Sequence, residues 1–134
     1  MKSNLQKKEL EVSSAELSDF IIDCILDKKG KEIVRLDLSN LPEAVFDHFI
    51  ICEGNSTTQL KAIADHIAVE AKKQLDEYTV GTSSFGGNQE WILLDFFSVV
   101  VHVFLKDKRD FYRLEELWSD GITYRYNEDG SIKK

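Results

Sequence analysis

Two strongly β-forming runs, Trp91–Asp95 and Val99–Phe104, constrain the fold of this chain more than any other feature. Only Phe96, Phe97 and Ser98 separate them, so we predict an antiparallel hairpin. Because side chains alternate between the two faces of a strand, the hairpin residues fall into two sets. One set is wholly aliphatic and is expected to lie beneath helices: Ile92, Leu94, Val99, Val101 and Val103.

The other set, here called the mixed face, combines aromatic, polar and charged side chains. It consists of Trp91, Leu93, Asp95, Val100, His102 and Phe104. A buried polar group costs free energy unless it is hydrogen-bonded, so this composition favours an exposed face that binds another protein. Taken singly, His102 is more simply explained as a satisfied structural histidine, and Asp95 as a turn former.

The composition limits the classes of partner. The chain has 134 residues, 43% of them apolar, which suffices for one domain with its own core. Its 17 Lys and Arg against 24 Asp and Glu give a formal charge of −7, which opposes direct DNA or RNA binding and favours a basic protein partner. Without an apolar run of roughly 20 residues or the apolar centre of a secretory signal, we expect a cytoplasmic protein with no membrane partner.

Helical and strand patterns alternate along the chain. Ser13 with Glu16, and Ser56 with Gln59, form capping boxes, each ahead of an apolar stripe at helical spacing. Further predicted elements are strands at 32–38, 47–52 and 78–82 and a helix at 110–118. These elements predict a single α/β domain, in which helices flank a mixed sheet of about five strands.

The predicted domain occupies residues 13–120. Residues 1–12 are charged and lack a sustained period, so we expect a flexible N-terminal arm. Residues 121–134 end in a polar stretch, and we expect a flexible C-terminal tail.

Catalytic readings find little support in the sequence. The Gly54-Asn55-Ser56 turn before a helix could hold a phosphate, but such turns occur wherever a helix needs a cap. Metal-dependent nucleotidyl transfer needs paired carboxylates, and Asp95 stands alone. His48, His66 and His102 lack metal-ligand spacing, and Cys24 and Cys52 fit buried apolar positions. We therefore expect no enzyme, cofactor or metal, and keep a nucleotide-binding enzyme as the alternative.

Several motifs in order carry a family resemblance. They are Asp47–Ile51, Gly54–Ser56, Ala62–Ile67, Trp91–Asp95, Val99–Phe104 and Arg109–Trp118. With these motifs the chain, from about Leu17 to Trp118, closely resembles the ribosomal silencing factor family, also called Iojap. It departs from the family at Phe96-Phe97-Ser98, where Tyr-Gly-Asp is usual.

The resemblance implies a non-catalytic domain with a nucleotidyltransferase-like fold. It also implies binding to the large ribosomal subunit through its protein L fourteen, a block on joining of the small subunit, and lowered translation under nutrient shortage. The resemblance carries a binding role to Trp91, Asp95, His102, Phe104, Arg109 and Tyr112. With Leu93 and Val100 from the mixed face, these form the predicted binding site. A homodimer paired through the same face is a further alternative.

Overall fold

The computed structural model describes residues 12–85, 89–109 and 121–133. In chain order its helices and strands are α1 (Ser14–Asp27), β1 (Lys31–Asp37), β2 (His48–Gly54), α2 (Thr57–Leu75), β3 (Gly81–Phe85), β4 (Trp91–Asp95), β5 (Val99–Leu105) and β6 (Ile122–Arg125). A single 3-10 turn, Lys106–Lys108, follows β5. The predicted helix at 110–118 and residues 1–11 of the predicted arm lie outside the described residues.

The six strands form one mixed sheet in the order β3-β4-β5-β2-β1-β6. The central strands β2 and β5 run parallel, and every other neighbouring pair is antiparallel. Each residue of β2 is buried, as expected for a strand covered on both faces. The predicted α/β domain with a mixed sheet is confirmed, although the described part of the chain forms six strands rather than about five.

The additional strand is β6, which corrects the prediction of a flexible tail over residues 121–134. β6 pairs with β1 at the edge of the sheet, and Tyr126 forms a further bridge with Ile132. The Arg35 guanidinium lies 4.4 Å from the centre of the Tyr124 ring, and its Nε–H donates to the Tyr126 hydroxyl at 2.9 Å. The C-terminal segment is therefore held by an arginine on β1.

Both described helices have the predicted N-cap serine, but only one of the two predicted capping boxes is complete. Ser13 Oγ accepts the Glu16 N–H, and Glu16 Oε1 accepts the Ser13 N–H, so the capping box is reciprocal. At the start of α2, Ser56 Oγ accepts the N–H of Gln59, but Gln59 Oε1 accepts the N–H of Asn55 and not that of Ser56. The predicted second capping box is therefore only half formed. Neither helix combines the length and apolarity needed to span a membrane.

The aliphatic side of the sheet packs against both helices and forms the larger core. The set predicted for this side, Ile92, Leu94, Val99, Val101 and Val103, is buried there. It meets the apolar stripes of α1 and α2, among them Leu17, Ile21, Ile25, Leu60, Ile63 and Ile67. The two faces of the hairpin are therefore assigned correctly from alternation alone.

The turn between α1 and β1 depends on a close approach at Gly30. Its N–H donates to the Ile25 carbonyl at 2.9 Å, and a Cβ at this position would lie 2.3 Å from Ile25 Cγ2. The left-handed residue in this turn is Lys29, with φ of 65°. Gly30 therefore lies just beyond the helix end, at a position where the space beside Ile25 excludes a side chain.

We expect Gly30→Ala to lower the free energy of unfolding by about 1–3 kcal/mol, because Ile25 or the backbone must move to admit the methyl group. Urea denaturation followed by circular dichroism measures the change. Gly81→Ala is the matched control, because a Cβ at Gly81 meets no atom within 4 Å. Equal stability of the two variants would contradict the packing argument.

Candidate protein-binding face

The hairpin register brings the residues of the mixed face together. Across β4 and β5 the pairs are Trp91 with Phe104, Leu93 with His102, and Asp95 with Val100. On the other side of β5, parallel pairing adds Phe49, Ile51 and Glu53 of β2 to the same face. The structure thus gathers the six predicted hairpin residues onto one side of the sheet.

Four rings stack along this face, and we call Phe49, Trp91, His102 and Phe104 the aromatic cluster. The His102 ring lies 4.4 Å from Phe49 and 5.5 Å from Trp91, measured between ring centres. Phe104 stacks on Trp91 at 5.0 Å. Ring contacts at these distances add stabilisation beyond the burial of apolar area.

A hydrogen bond within the cluster fixes the state of His102. The indole Nε1–H of Trp91 donates to His102 Nδ1 at 2.8 Å. Nδ1 must therefore be unprotonated, so the neutral imidazole carries its hydrogen on Nε2. Burial lowers the pKa of His102 from 6.5 to about 3, which keeps the ring neutral at physiological pH.

The expectation of a wholly exposed face is wrong for three of its residues. Val100, His102 and Phe104 are buried, at 8%, 5% and 1% exposure. β5 has a strand on either side, and the ring stacking covers its side chains further. On β4, by contrast, Trp91, Leu93 and Asp95 are half-buried, so this strand carries the accessible part of the face.

The connection between β1 and β2 covers another part of the same face. Leu41, Ala44 and Phe46 pack on a second core cluster formed by Val34, Leu36, Leu38, Phe49, Ile51 and Phe104. The rings of Phe46 and Phe49 lie 5.9 Å apart. The mixed face is therefore apolar core near β1 and becomes accessible towards β4.

Arg109 occupies a different position from the one predicted for a contact residue. It is 7% exposed, and its Nη1 lies 3.2 Å from Glu53 Oε1 in a buried ion pair. The same guanidinium donates to the carbonyl of Glu32, a residue with φ of 50° beside a register shift in β1. Arg109 thus joins the end of β5 to β1 and β2. Tyr112 lies outside the described residues.

The candidate phosphate turn is occupied by the chain itself. Gln59 Oε1 accepts the Asn55 N–H at 2.7 Å, and Ser56 Oγ accepts the Gln59 N–H at 3.1 Å. The Gln59 amide nitrogen donates to the carbonyls of Lys28 and Lys29, just after α1. Two of the N–H groups that an anion would need are therefore already bonded.

Other catalytic groups are also poorly placed. Among the described residues, no group of three or more His, Cys, Asp and Glu side chains could hold a metal ion. Cys24 and Cys52 are buried as expected, and burial raises the pKa of each thiol to about 12. Thiolate chemistry is therefore disfavoured at both positions.

Comparison with known proteins identifies the family. The family model described as ribosomal silencing factor during starvation matches residues 11–133. This chain belongs to the ribosomal silencing factor family. A ribosomal silencing factor of Bacillus subtilis is 39% identical over 117 residues, which cover 86% of this chain and 88% of that protein.

Two further relatives extend the comparison. A crystal structure of a protein from Chromobacterium violaceum matches with a TM-score of 0.72 and 37% identity, covering 81% of this chain and 88% of that one. A mouse protein named mitochondrial assembly of ribosomal large subunit protein 1 is 29% identical over 104 residues, 75% of this chain and 44% of that protein.

The β4–β5 turn, Phe96-Phe97-Ser98, has an unusual backbone. Phe97 adopts the left-handed conformation, with φ of 72°. Asp95 Oδ1 accepts the Phe97 N–H at 2.8 Å, which is the turn-forming role expected of this aspartate on its own. Phe96 is buried against the helices, whereas Phe97 is 76% exposed.

The buried histidine predicts a specific pH dependence of stability. The pKa of His102 is about 3 in the folded protein and 6.5 as the reference for the unfolded chain, so below pH 6.5 proton binding favours the unfolded state. The contribution of His102 is complete above pH 6.5 and falls by about 1.4 kcal/mol per pH unit towards pH 3.

Urea denaturation at intervals from pH 7.5 to pH 4.5 tests this dependence. His102→Phe keeps a ring in the stack and removes the titrating group, so its stability should fall less steeply than that of the wild type. Burial lowers the pKa of His48 as well, but His48 is present in both proteins and does not affect the comparison. Parallel pH profiles would contradict the assignment.

Proposed function

We propose that this chain silences ribosomes by binding the large ribosomal subunit through its protein L fourteen, with the accessible β4 part of the mixed face as the contact. Family membership carries this proposal, because the family is named for ribosomal silencing during starvation. The named association of the mouse relative with the large subunit supports the choice of partner.

Within the proposed site, the residues divide into two roles. Trp91, Leu93 and Asp95 are half-buried and can contact a partner directly. Val100, His102 and Phe104 lie beneath or beside them, and Arg109 ties the end of β5 to its neighbours. A contact strand backed by stacked rings is preorganised, which lowers the entropic cost of binding.

Charge and size support a steric mechanism. A chain with a formal charge of −7 is attracted to a basic ribosomal protein and repelled by exposed RNA. A compact domain of this length has a radius of gyration of about 14 Å. Once docked on the face of the large subunit that meets the small one, such a body blocks joining without any catalysis. The proposed site of action is the cytoplasm.

The nucleotide-binding alternative is not favoured, because Gln59 and Ser56 already bond N–H groups of the candidate phosphate turn. A homodimer through the mixed face remains the other use of the same strand. Sedimentation of the free protein shows whether it forms a dimer. If that dimer dissociates when large subunits are added, the same surface binds both partners.

A charge introduced on β4 should weaken binding to large subunits. We expect Leu93→Glu to lower the affinity at least about tenfold, because the carboxylate is desolvated in the contact and faces Asp95 on the same strand. Co-sedimentation with purified large subunits measures the affinity. Val69→Glu is the matched control, because Val69 is exposed on α2. Equal weakening in both variants would argue for a nonspecific charge effect.

Subunit joining provides the functional test. Large subunits incubated beforehand with the wild-type protein should show a reduced rise in light scattering when small subunits are added. Leu93→Glu should restore the rise at protein concentrations that saturate the wild-type effect. An undiminished rise with wild-type protein bound to the subunits would refute the steric block.

A further inference from the structure

One residue near the proposed contact strand is of a type that its position in the fold does not favour. Phe97, at the tip of the β4–β5 turn, is 76% exposed and has φ of 72°. A left-handed backbone is unfavourable for any residue with a Cβ, and an exposed phenyl ring gains little from burial. The fold therefore bears a cost at Phe97 and receives little stabilisation in return.

Phe97 differs from the other described residues in combining a positive φ with an exposed aromatic side chain. Among the described residues, Lys29, Glu32, Asp76, Gln89 and Phe97 are the non-glycine residues with positive φ, and Phe97 is the aromatic one. The other large apolar side chains with high exposure, such as Val45 and Val69, lack positive φ. Strain of this kind is characteristic of sites where a side chain is held for a function.

Hydrogen bonds within the turn fix the backbone position of Phe97. The Phe97 N–H is bonded to Asp95 Oδ1, and Asp95 belongs to the accessible β4 part of the mixed face. The Ser98 N–H donates to the Phe96 carbonyl at 2.9 Å, and the Phe96 N–H donates to the Val99 carbonyl at 2.9 Å. Because these bonds close the turn, the Phe97 side chain is attached to an ordered backbone at the Asp95 end of the contact strand.

We propose that Phe97 is an aromatic anchor, whose ring inserts into an apolar socket on the ribosomal protein bound by β4. The inference rests on the proposed function and adds a contact residue at the end of the strand. Phenyl rings buried in a partner's pocket are typical binding hot spots, because they bring much apolar area with few rotatable bonds. Basic side chains around the socket match Asp95, whose other carboxylate oxygen has no hydrogen bond to a described residue.

The test exploits the opposite signs expected for folding and binding. Phe97→Gly removes both the ring and the backbone strain, so the urea midpoint should rise while affinity for purified large subunits falls about tenfold or more. Phe97→Ala removes the ring and keeps the Cβ, so binding should fall equally without the gain in midpoint. Val69→Ala, a truncation on α2, is the control and should bind as the wild type does.

The outcomes separate this inference from the function on which it rests. If wild-type protein fails to bind large subunits, the proposed function fails and the anchor fails with it. If the wild type binds and both Phe97 variants bind equally well, the anchor alone is overturned. If Phe97→Gly raises the urea midpoint but leaves binding unchanged, Phe97 strains the backbone without contributing to binding.

A crosslinking experiment gives an independent measurement. Phe97→p-benzoylphenylalanine, photoactivated on large subunits, should attach to a ribosomal protein that mass spectrometry identifies as L fourteen or an immediate neighbour. The same substitution at Val69 should give no such product. Crosslinks from Val69 but not from position 97 would overturn the anchor.

Discussion

The parallel pairing of β2 with β5 is the constraint on which the rest of the structure depends. The two strands come from segments about 50 residues apart, and the register aligns His48 with Val99 through Gly54 with Leu105. This register decides both faces at once, because it places aliphatic side chains beneath the helices and Phe49 beside His102. A slip of one residue in β5 would exchange these sides, sending the imidazole into the aliphatic core.

Short-range sequence patterns predict the helix starts and the faces of the β4–β5 hairpin, because neighbouring residues determine both. Both helix starts follow from hydroxyl residues placed three positions before a glutamate or glutamine, and alternation sorts the β4–β5 hairpin correctly. β6 escapes such reasoning because its four residues are mostly exposed and are ordered by contacts to Arg35, far away in sequence. The type of most elements was therefore predictable, whereas β6 was missed and the strand predicted at 78–82 lies instead at Gly81–Phe85.

The candidate site illustrates the same limit. Polar residues in an apolar strand indicate either exposure or a bonded partner, and sequence alone favoured exposure. In the structure, His102 and Arg109 are buried with bonded partners. His102 Nδ1 accepts the Trp91 indole N–H, and Arg109 forms an ion pair with Glu53. Since Glu53 is 56 positions away from Arg109, no local pattern indicates the pair. The accessible residues are thereby reduced to those of β4.

The Gln59 side chain has a consequence for phosphate binding at the turn after β2. The Gln59 side-chain amide accepts the Asn55 N–H in the turn after β2 and donates to the carbonyls that follow α1. One side chain therefore holds two connections together. Replacing Gln59 to free the Asn55 N–H for an anion would also remove the hydrogen bonds to the Lys28 and Lys29 carbonyls. A phosphate site at this turn would therefore come at the expense of bonds that hold the segment after α1.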